Sequence, residues 1–208
     1  MTMQKSKNKF TSLATVLTLL ATSAINSGCG VIAATSVAGA GSMVSDERSV
    51  GTQIDDRMIS SRVKNALISS KSTGMWNGAN VSVVEGRVML SGTVPSEDIS
   101  REATKLTWNV QGVKEVINEL TITKSTVGSS AKDIWIANQI RARLLIEKNL
   151  LSSNYKVDVT KNIVFLIGVA QDENELEKAL EIAASVSGVE RVVNHVITKN
   201  DPRRWNRV

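Results

Sequence analysis

The sequence predicts an α+β protein built from two tandem domains, each with the element order αββαβ and two helices packed on a three-stranded mixed sheet. The first observation is an internal repeat, because residues 56–123 and 133–199 share one apolar pattern. The offset between the copies is 77 residues at the first helix and 76 afterwards, which requires a single insertion between those points. This period is too long for a solenoid unit, whose repeats run about 20–50 residues, and it indicates a pair of self-contained domains.

The second observation is that each copy opens with an amphipathic helix, since apolar residues recur at the spacing i, i+4, i+8. The stripes are Ile59, Val63 and Leu67 in the first copy and Ile136, Ile140 and Leu144 in the second. Asp56 and Asp133 stand just ahead of these stripes. We therefore predict that they cap the N-termini of the two helices.

The third observation is an alternating apolar pattern after each helix, which predicts a hairpin of two strands. Val81-x-Val83 and Val88-x-Leu90 flank Glu85-Gly86 in the first copy, and Val157-x-Val159 and Val164-x-Leu166 flank Lys161-Asn162 in the second. Two-residue connections that carry Gly or Asn are typical of tight hairpin turns with positive φ.

A second helix and a last strand complete each copy. The inner stripes are Ile99, Ala103, Leu106, Thr107 and Val110 in the first copy and Leu176, Ala179, Ala183 and Val186 in the second. Gly112 and Gly188 are predicted to end these helices as left-handed caps. The strands that follow cover 113–122 and 189–197. A right-handed strand–helix–strand crossover then places both helices on one face of the sheet.

The first 28 residues are predicted to be a secretory signal peptide. Lys5, Lys7 and Lys9 form a positive segment, an apolar stretch follows over 13–25, and small residues precede position 29. The apolar stretch is too short and too polar for a membrane span. Loss of the three lysines lowers the formal net charge from +5 to +2, so the basic composition is weak evidence for a nucleic-acid partner.

The single cysteine, Cys29, stands where the signal peptide would end. An odd cysteine in an exported chain requires an explanation. Three are open: thioether lipidation as a bacterial lipoprotein, an intermolecular disulfide, or an incidental thiol in a discarded peptide. Lipidation is favoured because Gly28-Cys29 after an apolar run resembles a lipobox, although Asn26 replaces the usual Leu, Val or Ile. Residues 29–54 would then hold the lipidated cysteine, a flexible tether and a leader.

The repeated pattern resembles the BON domain, a family named for bacterial osmotic stress and nodulation. The resemblance rests on residues 88–94, which read V-x-L-x-G-x-V, and on 112–118, which read G-V-x-x-V-x-N. A lipobox, a leader at 48–56, two domains at 55–124 and 131–199 and a tail at 200–208 together resemble the dual-BON lipoproteins of Gram-negative outer membranes.

This resemblance implies a lipid-anchored protein on the periplasmic face of the outer membrane that supports membrane integrity. It also implies that the second BON domain binds an anionic phospholipid membrane. Two other functions stay open: a scaffold that docks an envelope protein partner, and a soluble periplasmic osmotic-stress protein.

The first helix of the second copy carries the predicted lipid-binding residues. At about 100° per residue, Trp135 falls well outside the inner stripe of this helix. An indole flanked by cations suits a membrane interface, where the ring lies among headgroups. The first copy has Met58 at this position, and the resemblance implies a Trp in the second domain of the family. An alternative is that Trp135 packs on a neighbouring domain or loop. The predicted site comprises Trp135, Lys132, Gln139, Arg141, Ala142 and Arg143.

The remaining candidates carry weaker signals. Trp108 is predicted either to fill the interface between the domains or to be a second contact point, and Trp76 has no assigned role. The tail over 201–207 combines cations with Trp205, and we predict that it frays rather than contacts the membrane. The only histidine, His195, is predicted to be a surface residue. The sequence contains no catalytic constellation, zinc-type Cys/His cluster or phosphate-binding loop, so no catalytic residue, metal or cofactor is predicted, and an enzyme is not indicated.

Overall fold

The computed structural model describes residues 50–70, 78–124 and 130–204, and the element order αββαβ occurs twice in them, as predicted. The first copy consists of α1 (Val50–Ile68), β1 (Ala79–Val84), β2 (Arg87–Val94), α2 (Glu97–Trp108) and β3 (Glu115–Ile122). The second consists of α3 (Ala131–Ile146), β4 (Tyr155–Thr160), β5 (Ile163–Ala170), α4 (Glu173–Ala184) and β6 (Arg191–Thr198). Short 3-10 helices at Ser152–Asn154 and Pro202–Arg204 precede β4 and follow β6.

Each copy forms a three-stranded mixed sheet with its second strand in the middle. The orders are β1-β2-β3 and β4-β5-β6; the first pair of each sheet is antiparallel and the second is parallel. Glu85, Gly86, Lys161 and Asn162 all have positive φ, between 51° and 80°. Two consecutive residues at positive φ define the twist-compatible hairpin turn that the sequence predicted.

Both helices of each copy pack on one face of its sheet, which confirms the predicted fold class. In the first copy one buried cluster joins Ile59, Val63 and Leu67 of α1, Ile99 and Ala103 of α2, and Val83, Val88, Leu90 and Val94 of the sheet. The second copy has the same arrangement, with Ile136, Ile140 and Leu144 of α3 against Ala179 and Ala183 of α4 and the apolar face of the second sheet. These cores are aliphatic because aromatic residues make up only 3% of the chain.

Asp56 binds the β1–β2 turn instead of capping a helix, which corrects the prediction from sequence. Helix α1 begins at Val50, so Asp56 lies inside it. The carboxylate accepts the backbone N–H groups of Glu85 and Gly86, both at 2.9 Å. A tight turn leaves these donors without strand partners, and a buried carboxylate satisfies them. The equivalent Asp133 binds the β4–β5 turn in the same way.

Gly112 and Gly188 have the predicted positive φ but do not cap the helices. Helix α2 ends at Trp108 and α4 ends at Ala184, and each glycine follows four residues later, with φ of 96° and 89°. An additional turn lies between helix and glycine, closed by a hydrogen bond from Val113 N–H in the first copy to the carbonyl of residue 110. The glycine is needed there because a Cβ at Gly112 would also lie 3.0 Å from the Ile59 side chain.

The two sheets pack against each other through the faces that point away from the helices. Alternate residues of β5 point to this side, which makes β5 apolar on both faces, a pattern typical of a fully buried strand. Phe165 is 2% exposed and Met89, its equivalent in the first copy, is fully buried. The cluster, here called the shared core, consists of Val84, Met89, Phe165, Ile167, Val169 and Ile197, with Ile117, Ile163 and Val193 partly buried at its rim. The described residues of both copies therefore belong to one compact unit with four layers.

Equivalent residues of the two copies meet at the rim of the shared core. Ser82 donates a 2.7 Å hydrogen bond to Asp158, and Glu119 lies 2.8 Å from the imidazole of His195. Both pairs differ by 76 residues, which is the offset of the duplication. Equivalent residues contact each other only across a two-fold axis, so the copies pack like the subunits of an isologous dimer. His195 is thus a partly buried interface residue, which corrects its prediction as a surface residue.

The start of the C-terminal tail is ordered against the first copy, contrary to the prediction of fraying. Arg204 donates two hydrogen bonds to Glu85, at 2.7 and 2.8 Å, and both side chains are about nine-tenths buried. A second charged link runs from Arg87, whose guanidinium donates to Glu115 and to the carbonyl of His195. Bidentate arginine–carboxylate pairs combine charge with fixed geometry. The tail therefore strengthens the contact between the copies.

Candidate functional site

Helix α3 is held at its N-terminus by a network of hydrogen bonds. Ser130 is the N-cap: its side chain accepts the N–H of Asp133, and its own N–H donates to the Asp133 carboxylate in a reciprocal capping box. That carboxylate also accepts the N–H groups of Asn162 at 2.9 Å and Lys161 at 3.3 Å. Burial opposes ionisation, but these donors outweigh it and hold the pKa of Asp133 below its usual value. The start of α3 is therefore rigidly placed on the β4–β5 turn.

The side of α3 opposite its inner stripe exposes four large apolar side chains. Their exposed fractions are 53% for Ile134, 49% for Trp135, 72% for Leu145 and 79% for Ile146. The inner stripe centred on Ile140 is fully buried, so α3 is apolar on two opposite sides. We call the outer set, Ile134, Trp135, Leu145 and Ile146, the α3 apolar face. Several exposed apolar side chains on one side of a helix indicate a candidate site for a membrane or a partner.

The six predicted site residues lie on or beside this face. Trp135 is half exposed, Ala142 is exposed and Gln139 is half-buried. Lys132, Arg141 and Arg143 are exposed, and they flank the face on different sides. These positions are compatible with the predicted site.

Two of the three cations are oriented by hydrogen bonds. Arg141 donates to the side chain of Asn138 and to the carbonyl of Val157 on β4. Arg143 donates to the hydroxyl of Ser185, at 2.9 Å, beyond the end of α4. Each guanidinium has five donors, so both retain hydrogen-bonding capacity towards an anion.

Sequence reasoning missed Ile134, Leu145 and Ile146 as members of the face. The signal was present, because Ile134 and Leu145 are eleven residues apart, which at about 100° per residue brings them within about 20° of each other. The prediction rested on Trp135 and the neighbouring charges, and it left out the apolar residues on the side opposite the inner stripe.

In its described residues the first copy has only part of this apolar set. Met58 and Ile68, the equivalents of Trp135 and Leu145, are 47% and 60% exposed. However, the first copy has Arg57 at the position of Ile134. The full set of four exposed apolar side chains is therefore a property of the second copy.

Trp108 is the other tryptophan among the described residues. Trp108 ends α2 and is 51% exposed, so it does not fill the interface between the copies. Residues 1–49 lie outside the described residues, and they include Cys29, the predicted signal peptide and the tether. Trp76 and Trp205 also lie outside them.

Among the residues described, no group of His, Cys, Asp or Glu has an arrangement that would hold a metal ion. None of the described helices has the length and apolar character needed to cross a membrane.

Comparison with known proteins agrees with this architecture. The BON domain family matches residues 55–124 and 132–200. An uncharacterised protein from the gshII 5′ region of Anaplasma centrale is 35% identical over 153 residues, covering 73% of this chain and 99% of its own length. The outer membrane lipoprotein DolP of Haemophilus influenzae is 33% identical over 155 residues, covering 74% of this chain and 80% of its own. The osmotically-inducible protein Y of Escherichia coli is 34% identical over 195 residues, covering 89% and 95%. The chain belongs to the BON domain family.

Proposed function

We propose that this protein is a lipid-anchored envelope protein on the periplasmic side of the outer membrane, where it supports membrane integrity and its second BON domain contacts anionic phospholipid through the α3 apolar face. The anchored location draws on the relative described as an outer membrane lipoprotein and on the resemblance of the Gly28-Cys29 segment to a lipobox. The observation that carries the lipid contact is the exposed stripe of Ile134, Trp135, Leu145 and Ile146 between Arg141 on one side and Lys132 and Arg143 on the other.

The energetics favour a supporting contact rather than a sole anchor. Full burial of one large aliphatic side chain contributes about 1.5–3 kcal/mol, and the four side chains of the face are only half to four-fifths exposed. A cation near an anionic surface adds about 1 kcal/mol. The cost of association, about 4–15 kcal/mol, offsets most of this gain, so the net binding by α3 alone is weak. A lipid at Cys29 would hold the protein at the membrane and raise its effective concentration there. A weak contact then suffices to orient the domain.

We expect that Trp135→Glu lowers binding to anionic vesicles at least tenfold, because it removes the indole and adds a repelled charge. The mature chain with Cys29→Ser, which cannot be lipidated, would be sedimented with phosphatidylglycerol and with phosphatidylcholine vesicles. Trp108→Glu is the matched control, since this indole is equally exposed but lies on α2 of the first copy. Binding that is the same for both vesicle types, or an equal loss in both variants, would contradict the proposal.

A second candidate function is that of a soluble periplasmic osmotic-stress protein without an anchor. It is favoured by the relative named osmotically-inducible protein Y, whose match extends over 89% of this chain. Mass spectrometry of the mature protein separates the two. A diacylglyceryl-modified Cys29 at the N-terminus supports the anchored form, whereas an unmodified start at another residue supports the soluble form.

A further inference from the structure

A cavity of about 260 Å³ lies between the two copies and is distinct from the α3 apolar face. The first copy contributes α1 and β1 to its wall, and the second contributes the start of β4 with the preceding 3-10 helix. Polar side chains dominate the wall: Gln53, Arg57, Ser60, Ser82, Ser153 and Lys156. Since both copies are needed to enclose it, the cavity exists only because the two sheets dock.

The charge of the cavity is positive. Arg57 comes from the first copy and Lys156 from the second, and both are exposed. Within the described ranges neither of these two cations is paired with a carboxylate. The acidic member of the wall is Asp56, but its two oxygens already accept the N–H groups of Glu85 and Gly86 at 2.9 Å. Two cations without a carboxylate partner therefore line the cavity, and the Asp56 carboxylate in its wall is hydrogen-bonded to the turn.

The duplication supplies an internal control for this charge. The two-fold axis relates the cavity to an equivalent place between α3, β4 and β1. There the residue equivalent to Arg57 is Ile134, and the residue equivalent to Lys156 is Asn80. Ser60 is likewise replaced by Ala137. The backbone frame is repeated, but the cations and a hydroxyl are present on one side only, so the fold by itself does not require them.

We propose that this cavity is an anion-binding site that takes a phosphate group, either free phosphate or the phosphodiester of a lipid headgroup. A guanidinium offers planar paired donors to phosphate oxygens, and an ammonium adds a point charge. The hydroxyls of Ser60 and Ser153 supply further donors along the wall. The site goes beyond the proposed function because it uses the first copy, which the α3 contact does not.

The test uses the mature chain with Cys29→Ser and two probes, inorganic phosphate and phosphatidylglycerol vesicles. Amide chemical shifts would be followed by NMR during a phosphate titration, with sulfate-free buffer and constant ionic strength. Saturable shifts are expected at Arg57, Ser60 and Lys156. Arg57→Gln and Lys156→Gln are each expected to weaken phosphate binding at least tenfold. Lys105→Gln removes an exposed cation of the first copy outside the cavity and should leave binding unchanged.

The outcomes separate the source of the phosphate group and decide the proposal. Saturable phosphate binding that is lost in both cavity variants supports the site with a free anion as ligand. Vesicle binding that falls at least tenfold in Arg57→Gln, without a response to inorganic phosphate, supports it with a lipid headgroup as ligand. Equal losses in Lys105→Gln, or no loss in either cavity variant with either probe, overturns it.

Failure of this proposal is distinguishable from failure of the α3 contact. Trp135→Glu should reduce vesicle binding and leave the phosphate titration unchanged, because Trp135 is not part of the cavity wall. Arg57→Gln should weaken binding in the phosphate titration, although Trp135 is unchanged in this variant. Loss of one effect with retention of the other identifies which of the two sites is wrong.

Discussion

Phe165→Ala is expected to lower the free energy of unfolding by about 3–5 kcal/mol, the usual cost of removing a buried phenylalanine from a core. Phe165 is 2% exposed and is the only aromatic member of the shared core between the two sheets. Its loss should also reduce cooperativity, since it leaves a cavity in the contact between the two sheets. Urea denaturation followed by circular dichroism measures both quantities.

Two variants serve as controls for this prediction. Met89→Ala removes the equivalent side chain from the other sheet and should destabilise by about 2–5 kcal/mol. Ile134→Ala truncates a half-exposed residue outside every core and should change stability by less than about 1 kcal/mol. A Phe165→Ala protein that unfolds like the Ile134→Ala protein would show that the sheets do not share a core in solution.

Asp133→Ala is expected to lower the free energy of unfolding by about 2–4 kcal/mol, because it leaves buried N–H groups of the β4–β5 turn without an acceptor and removes the capping box. The carboxylate is 4% exposed and accepts N–H groups from Ser130, Lys161 and Asn162. Asp98→Ala is the matched control, since Asp98 lies in the first turn of α2 with its side chain 85% exposed and should cost no more than about 1 kcal/mol.

The effect of Asp133→Ala should depend on pH in a defined direction. In the folded protein the pKa of Asp133 lies below its usual value of 3.8, because the N–H donors outweigh the effect of burial. A carboxyl group with a lowered folded pKa contributes stability that is complete above its unfolded pKa and is lost as the pH falls through the folded value. The difference in unfolding free energy between the native protein and Asp133→Ala should therefore be constant from pH 7 to about 5 and shrink below about pH 4. A difference that grows on acidification would contradict this account.

The sequence allowed the secondary structure and the inner faces to be predicted because both follow from local periodicity. The stripe around Ile140 required only helical spacing, and the turn at Lys161-Asn162 required only residue type. Two local predictions were wrong for a non-local reason. Asp56 precedes the apolar stripe, as a cap would, but the nearest unsatisfied donors belong to the hairpin rather than to the helix. Helix α1 also begins six residues earlier, at Val50.

The candidate site could be predicted only in part. Trp135 was predicted because it breaks the helical pattern, whereas the exposure of Ile134 and Leu145 was not predicted. Their exposure depends on whether another element covers that side of α3, and helical spacing contains no information about this. The Glu119–His195 contact illustrates the same limit, because it requires two sheets to dock face to face.

By itself the sequence determined that one αββαβ unit occurs twice, with aliphatic cores under each helix pair, since short-range apolar spacing decides which face of an element is buried. Only the tertiary structure decided how the two copies meet. Docking of the two apolar sheet faces buried Met89 against the side of β5 that carries Phe165 and brought Arg57 and Lys156 to one cavity. Residues so far apart in the chain become neighbours through the removal of apolar surface from water, which depends on the shape of whole faces and not on any local pattern.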